Sequence, residues 1–437
     1  MNKAIDPLEI YFASLEKCTP GSMVESAFRI KDKKLLVGDD AFEIKGRINL
    51  LAFGKASALM YESARKICRA SDAFGAGLVI THLNEPNLDV DSDIEQVIFS
   101  THPLISELSV KAGRKAKEFV EAHNCDDILL CLVSGGGSAM VALPVEGLNI
   151  GEKIKFISDV MHMGVPEREV NELKKALSNV KGGKLAEVAR DGRIINLILS
   201  DERNHQFAAI SSGMTVCNEF IDSVGVMDKY ALWDVPSPHI KKKLLEFGQK
   251  RDVGCGRVIN NFLIGSRDDL SCVIRSVAQS YNFESVTTLE NLHSCSPENA
   301  VDFLIQKYFD AFNNCSSGHH LVLCTGEVQV KVDTKKIGKG GRNQHLAALM
   351  LLKSKFQFPF SFAAVATDGM DYLEGVHGAQ FDNFISEKRP DHESFLVECI
   401  EKNRTYDFHS KMDTLIKGPK TGTNMSDFFL FSFYKES

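Results

Sequence analysis

No Cys-x-x-Cys pair occurs among the eleven cysteines of this 437-residue chain, and their odd number does not suit an extracellular disulfide framework. Several sit inside apolar runs, as Cys131 does in Leu130-Cys131-Leu132-Val133, so they read as reduced core thiols in a reducing compartment. No run reaches the roughly 18 uninterrupted apolar residues of a membrane span. Even the stretch from Ala347 to Ala366 is broken by Lys353, Lys355 and Pro359. The segment from Met1 to Glu9 has neither the apolar stretch of a secretory signal nor the acid-poor, Arg-rich character of an organelle presequence. A cytoplasmic location is therefore expected, with a mitochondrial share left open. Positive charge is also short: 51 Lys and Arg stand against 58 Asp and Glu, a net charge of −7. That balance does not favour gripping nucleic acid by bulk electrostatics, which needs a concentrated basic surface, and no nucleic-acid partner is expected.

Several catalytic signatures are missing as well. The chain has no His-Glu-x-x-His zinc motif, no Gly-x-Ser-x-Gly elbow, no Gly-x-Gly-x-x-Gly dinucleotide fingerprint and no Walker loop. What is present is a repeated order of strand, glycine turn and helix. Ile48–Phe53, Gly77–Ile80, Asp127–Val133 and Ile194–Leu199 are apolar runs that close on small or polar residues. Continuous apolar strands of this kind belong to parallel sheets buried on both faces. Helix-length segments over Ser106–Ala122 and Gly151–Met163 separate them, which gives a βαβ series.

A second series begins near Arg257. It has strands at Val258–Ile264, Ser285–Leu289, His320–Thr325, Phe360–Thr367 and Phe428–Tyr434, and an alternating strand at Val328–Val332. Helices are expected over Asp268–Tyr281, Pro297–Asn313 and Arg342–Leu352. The weakly patterned stretch Val224–Val253 reads as the boundary, so two domains are expected, 1–245 and 246–437.

Three glycine loops carry the chemistry. Ser134-Gly135-Gly136-Gly137-Ser138 follows a buried strand, and its glycines let several backbone N–H groups converge on a phosphate or carboxylate. Gly54-Lys55-Ala56-Ser57 puts a lysine at another strand end, where it can meet a phosphoryl group as a point charge. Gly340-Gly341-Arg342-Asn343-Gln344 offers a guanidinium fork for an oxyanion. Ser200-Asp201 and Thr367-Asp368-Gly369-Met370-Asp371 add carboxylates at strand ends, suited to Mg²⁺ or to accepting a hydroxyl proton. Read singly, each of these also suits an ordinary turn or a solvated surface. Together they point to phosphoryl transfer or anion binding without naming a substrate.

In order along the chain, the motifs resemble those of the class II glycerate kinases, the glycerate 2-kinase or MOFRL family. The matching residues are Gly54-Lys55-Ala56, His102-Pro103, Ser134–Ala139, Asn171, Lys175 with Leu177-Ser178, and Lys181-Gly182-Gly183-Lys184. They continue through Leu199-Ser200-Asp201, Ile210 with Ser212-Gly213, Gly326-Glu327, Gly340–Gln344, Thr367-Asp368-Gly369 and Thr421-Gly422-Thr423-Asn424. The resemblance implies an α/β fold: a Rossmann-like N-terminal domain with a parallel sheet, and a smaller α/β MOFRL-type domain, with the site in the cleft between them. It implies ATP-dependent phosphorylation of D-glycerate, to 2-phosphoglycerate, with Mg²⁺, and leaves a homodimer open.

On the same basis Lys55 and Arg342 are the expected catalytic pair. Ser134, Gly135, Gly136, Gly137, Ser138, Asn171, Lys175, Lys181, Ser200, Gly326, Glu327, Asn343, Gln344 and Asn424 are the expected substrate and ATP contacts, and Asp201 and Asp368 the expected metal ligands. The chain departs from the family pattern at Glu202-Arg203-Asn204-His205, where Val-Pro-Gly-Asp is usual. That departure frames an alternative: a weakened relative that binds a phosphate or sugar acid without turnover.

Overall fold

The computed structural model describes residues 4–83, 88–189, 192–200, 206–216, 220–247, 249–251, 258–293, 295–331, 338–385, 392–423 and 425–436. They form two compact units, Pro20–Gly265, and Met1–Thr19 together with Ser266–Ser437. The boundary between these units falls at 265/266, and the segment before Pro20 groups with the residues after Gly265. Helix α1 (Pro7–Lys17) starts at Asp6, whose carboxylate accepts from the Leu8 N–H at 2.9 Å. It buries Leu8, Ile10, Tyr11 and Leu15, and packs on a helix, α7, that begins at Arg267.

In the Pro20–Gly265 unit the elements follow the expected alternation: β1 (Ile48–Phe53), α2 (Ser57–Ala70), β2 (Phe74–His82), β3 (Glu95–Ser100), α3 (Glu107–Glu121) and β4 (Ile128–Val133). Next come a single turn α4 (Gly137–Met140), α5 (Ile150–His162), α6 (Glu167–Ala176), β5 (Arg193–Ser200) and β6 (Ile259–Ser266). The sheet order is β3-β2-β1-β4-β5-β6, and every pair from β3 to β5 is parallel. Leu51, Leu78, Leu129 and Ile194 on these strands are buried with Ala112, Ala116 and Val120 of α3, the core that the unbroken apolar runs anticipate. Residues 223–229 and 238–247 are helices that pack with α5 and α6 around Val160, Leu173, Met227 and Leu244. The stretch read as holding the boundary thus contains two helices of this unit.

The other unit contains α7 (Arg267–Ser280), β7 (Phe283–Thr288), β8 (Leu292–His293), α8 (Pro297–Asn314), β9 (Gly318–Glu327) and α9 (Arg342–Lys353). It closes with β10 (Phe360–Ala366), β11 (Val376–Asp382), β12 (Leu415–Lys417) and β13 (Asp427–Lys435). Its sheet runs β7-β9-β13-β10-β11-β12 and is antiparallel from β9 onward. Phenylalanine fills its core: Phe431 stacks on Tyr308 with centroids 4.0 Å apart and is buried with Phe362 and Phe429. The expected strand at Val328–Val332 does not form in the described residues Val328–Lys331; the Gln329 N–H turns instead to the Cys295 carbonyl. A mixed, mostly antiparallel sheet beside a parallel one makes the chain α/β in both units, as expected.

Among the described residues, no helix is long and apolar enough to cross a membrane.

Candidate functional site

The first constellation follows from strand order. From β1 the chain crosses to β2 on one side, and from β4 it crosses to β5 on the other, so the gap beyond β1 and β4 is a topological switch point. Phe53 and Val133 are in register, and the two loops leave side by side. The Lys55 N–H donates to the Gly135 carbonyl at 2.9 Å, and the Ala56 N–H to Ser134 Oγ at 3.0 Å. Gly54 has φ +118°, and a Cβ there would lie 2.3 Å from Ser134 Oγ, so only glycine permits this approach.

Gly136, at φ +85°, turns the chain into α4. A Cβ on it would come within 3.0 Å of Lys55 Cγ and 3.1 Å of His102 Cδ2, which places both side chains against the bare face of the loop. Among the described residues nothing accepts from the N–H groups of Gly135, Gly136, Gly137 or Ser138. Four such donors in consecutive residues at the start of a helical turn suit an anion.

A second turn buttresses the loop. Ser211, Ser212 and Gly213 have φ values of 50°, 59° and 59°, a left-handed run that is unusual for serine. Ser211 Oγ donates to the Ser134 carbonyl at 2.7 Å, and Ser138 Oγ lies 2.9 Å from Ser212 Oγ. The Gly182 and Gly183 N–H groups donate to the Ser212 and Gly213 carbonyls at 2.9 and 2.7 Å. Lys181 therefore ends beneath the loop, its Nζ 2.7 Å from both the carbonyl and Oγ of Ser138. Burial, then Lys174, pull its pKa from 10.5 down to about 7.

The second constellation lies at one end of the antiparallel sheet. Gly326 and Ala366 are both in register with Asp427, so three strand ends coincide. Arg342, the first residue of α9, reaches them: Nε donates to Asp427 Oδ2 at 2.5 Å, Nη2 to Oδ1 at 3.0 Å and Nη1 to Glu327 Oε2 at 3.1 Å. Asp427 is buried, which raises its pKa to about 7, while the guanidinium pulls it down. Tyr11 is wholly buried too, and its hydroxyl pKa is raised by burial and by Asp427 and Asp368.

Asp371 performs a different task from the one its turn suggests. It accepts from the Asn343 and Gln344 backbone N–H groups at 3.0 and 2.9 Å, and from both side-chain amides at 3.2 and 3.0 Å. Gly341 precedes α9 without a capping side chain, so Asp371 caps the helix from a distance.

Of the site residues expected from sequence, Lys55 and Ser134–Ser138 converge, and Arg342 and Glu327 converge. Asn343 and Gln344 have no exposed surface and donate to Asp371 at the start of α9. Lys175 is buried on α6 in an ion pair with Glu172 at 3.0 Å, and Asn171 stands one turn earlier, half-buried. Ser200 is buried at the end of β5. Gly326 is needed for pairing with β8, because a Cβ there would lie 2.0 Å from the Leu292 carbonyl. Asp201, Asn424 and the loop Glu202–His205 lie outside the described residues. Asp427, Tyr11 and Ser211 are additions; a single carboxylate opening the apolar run Phe428–Phe431 was the available sign of Asp427.

Among the described residues no three His, Cys, Asp or Glu side chains are placed to hold an ion. Asp368 spends Oδ1 on the Met370 N–H at 3.0 Å, and Glu327 and Asp427 are engaged with Arg342.

Comparison with known proteins gives a family on each side of residue 245. The family described as "Domain of unknown function (DUF4147)" matches residues 6–245, over half the chain, and the MOFRL family matches 320–427. The glycerate 2-kinase of Pyrococcus horikoshii is 28% identical over 96% of this chain and 94% of its own length. The D-glycerate 2-kinase of Thermotoga maritima is 27% identical over 88% and 90%. A crystal structure of a Pyrococcus horikoshii protein superposes with a TM-score of 0.77 at 26% identity, covering 99% of this chain and all of that one.

Proposed function

The chain belongs to the DUF4147 family, and on that premise we propose that it is an ATP-dependent glycerate kinase forming 2-phosphoglycerate from D-glycerate. The observation that carries the reading is the loop at the switch point, with four unused N–H groups, Lys55 and His102 on one face and no side chain at Gly136. In-line phosphoryl transfer asks a protein mainly to position the reactants and neutralise charge, and this loop offers both. The ligand on the loop is either an ATP phosphate or the glycerate carboxylate. Lys55 acts as a point charge, and Arg342 offers a planar fork for an oxyanion. Mg²⁺ enters with ATP as substrate. The abundance of free thiols among the described cysteines suits a cytoplasmic enzyme.

The test is ADP release from purified protein with Mg-ATP and D-glycerate, with the phosphorylated carbon assigned by NMR. Glycerate-dependent release with phosphate on the 2-hydroxyl is the expected result. Folded protein that binds the acid but releases no ADP would replace this reading with ligand binding alone. Lys55→Met is expected to cut turnover on the order of 10²- to 10³-fold, the scale of losing one transition-state charge contact.

A further inference from the structure

Beneath the loop Gly135–Ser138 lies a buried lysine, with a second one near it, and neither has a counter-ion among the described residues. Lys181 is 1% exposed and donates to the carbonyl and hydroxyl oxygens of Ser138, both at 2.7 Å. Lys153 on α5 is 3% exposed and donates to the Leu177 and Lys174 carbonyls at 2.8 and 3.3 Å. Among the described residues no carboxylate lies within ion-pair distance of either amine. A buried charge without a partner is among the most expensive features a fold can hold, so the protein either neutralises it or keeps it for a ligand.

Ser138 shows which. A hydroxyl that accepts from Lys181 still has its own proton to give. Its neighbour Ser212 Oγ, at 2.9 Å, is neutral, and either hydroxyl can donate to the other. Ser138 is half-buried while Lys181 lies behind it, so the hydroxyl, not the amine, is within reach of anything seated on the loop. We propose that Lys181 is a positioning residue that turns the Ser138 hydroxyl toward an oxyanion on the N–H groups of residues 135–138, and that the anion draws a proton onto Lys181 as it binds.

This rests on the kinase reading for the identity of the anion, a carboxylate of the acid or a phosphate of the nucleotide, but not for its charge. In the ligand-free protein the Lys181 amine is largely neutral above pH 7, held there by burial and by Lys174 on α6. Lys153 and Lys184 face the same region, Glu172 pairs with Lys175, and Lys55 and His102 stand across the loop. An oxyanion on the loop adds the negative charge that favours the ammonium form, and the proton comes from solvent with no other bond changed.

Titration calorimetry of the full chain at pH 8 in HEPES and in Tris, buffers with different ionisation enthalpies, reads this proton directly. D-Glycerate, ADP and inorganic phosphate are titrated separately. At least one is expected to bind with uptake of about half a proton or more. Uptake with glycerate alone assigns the carboxylate, and uptake with ADP and phosphate assigns the phosphate. Lys181→Met is expected to weaken that ligand at least tenfold and abolish uptake. Lys181→Arg, always charged, should restore affinity without uptake, and Ser138→Ala should lose affinity. Binding of wild-type protein without proton uptake for all three probes, binding by none of them, or uptake that survives in Lys181→Met but vanishes in Lys153→Met, overturns the proposal. Wild-type calorimetry decides even if a variant misfolds. Because inorganic phosphate needs no turnover, failure of the kinase assay and failure of this proposal are separate results.

Discussion

Arg342 and Asp427 meet through two parallel hydrogen bonds, Nε to Oδ2 at 2.5 Å and Nη2 to Oδ1 at 3.0 Å, across 85 residues of sequence. The carboxylate is 2% exposed, whereas the guanidinium keeps 37% of its side-chain surface and reaches Glu327 with its remaining nitrogen. Asp427 therefore anchors the fork and leaves one side of it open to an incoming oxyanion.

From this follows an outcome that a simple catalytic assignment does not give. Arg342→Ala should lower turnover on the order of 10³-fold, as loss of a cationic finger does in phosphoryl transfer. It should also destabilise the protein, because a buried carboxylate loses its partner. The loss should depend on pH. Without Arg342 the folded-state pKa of Asp427 rises further above its unfolded value of 3.8, so the native state holds the proton more tightly. Stability is then greatest at low pH and falls as pH rises from about 4 through and beyond about 7. Urea unfolding of the variant at pH 5.5 and 8 checks the sign. Equal destabilisation at both values would mean that Asp427 finds another partner.

Gly136 gives a cleaner separation of strain from site geometry. Gly136→Ala places a Cβ at φ +85°, 3.0 Å from Lys55 Cγ and 3.1 Å from His102 Cδ2. Gly147→Ala meets a similar φ of +78° with nothing within 4 Å. Both variants should lose about 1–2 kcal/mol from the left-handed backbone. Only Gly136→Ala should lose turnover, by tenfold or more. Matching turnover in the two would detach the bare face of the loop from the chemistry.

Asp371→Ala removes the acceptor for two backbone and two side-chain N–H groups at the start of α9. Buried donors left without acceptors should destabilise the protein by about 3 kcal/mol. Because Arg342 is the first residue of that helix, turnover should fall with Glu327 and Asp427 still in place. A variant as stable as wild type would show that Gly341 and solvent suffice as a cap.

Much of this was legible before any coordinates. The β1 and β4 runs, unbroken by polar residues from Leu50 to Phe53 and from Ile128 to Val133, announce central parallel strands, and the glycines after them mark the switch point. Local pattern suffices there because each loop adjoins its own strand. Asp427 was not legible in that way. Its link to Arg342 exists only because Gly326, Ala366 and Asp427 fall in register on three strands, and no local sequence signal reports register. The same limit hid the grouping of α1 with the second unit: amphipathic spacing shows that Ile10, Tyr11 and Leu15 are buried, but not against what. The burial of two lysines was not legible either. Lys175 and Lys181 stand in polar surroundings in sequence, and only the folded turns at 177–183 and 210–213 bury them.

That burial has a consequence for stability. The Lys181 pKa falls from 10.5 to about 7 on folding, so between those values the unfolded chain binds the proton and the native protein does not. The unfolded state then holds more protons, and stability rises with pH across the window, by up to about 1.4 kcal/mol per pH unit. Lys153, whose pKa is also driven down by burial and by Lys181, adds to the same slope. Urea unfolding of wild-type protein at pH 7, 8 and 9 should show the rise, on top of any loss from ordinary alkaline titration. Lys181→Met removes one of the two titrating amines and relieves the repulsion on the other, so its curve should be flatter and should start higher at pH 7. A parallel curve would mean that Lys181 keeps its charge in the folded protein, with solvent or a retained anion as its counter-ion.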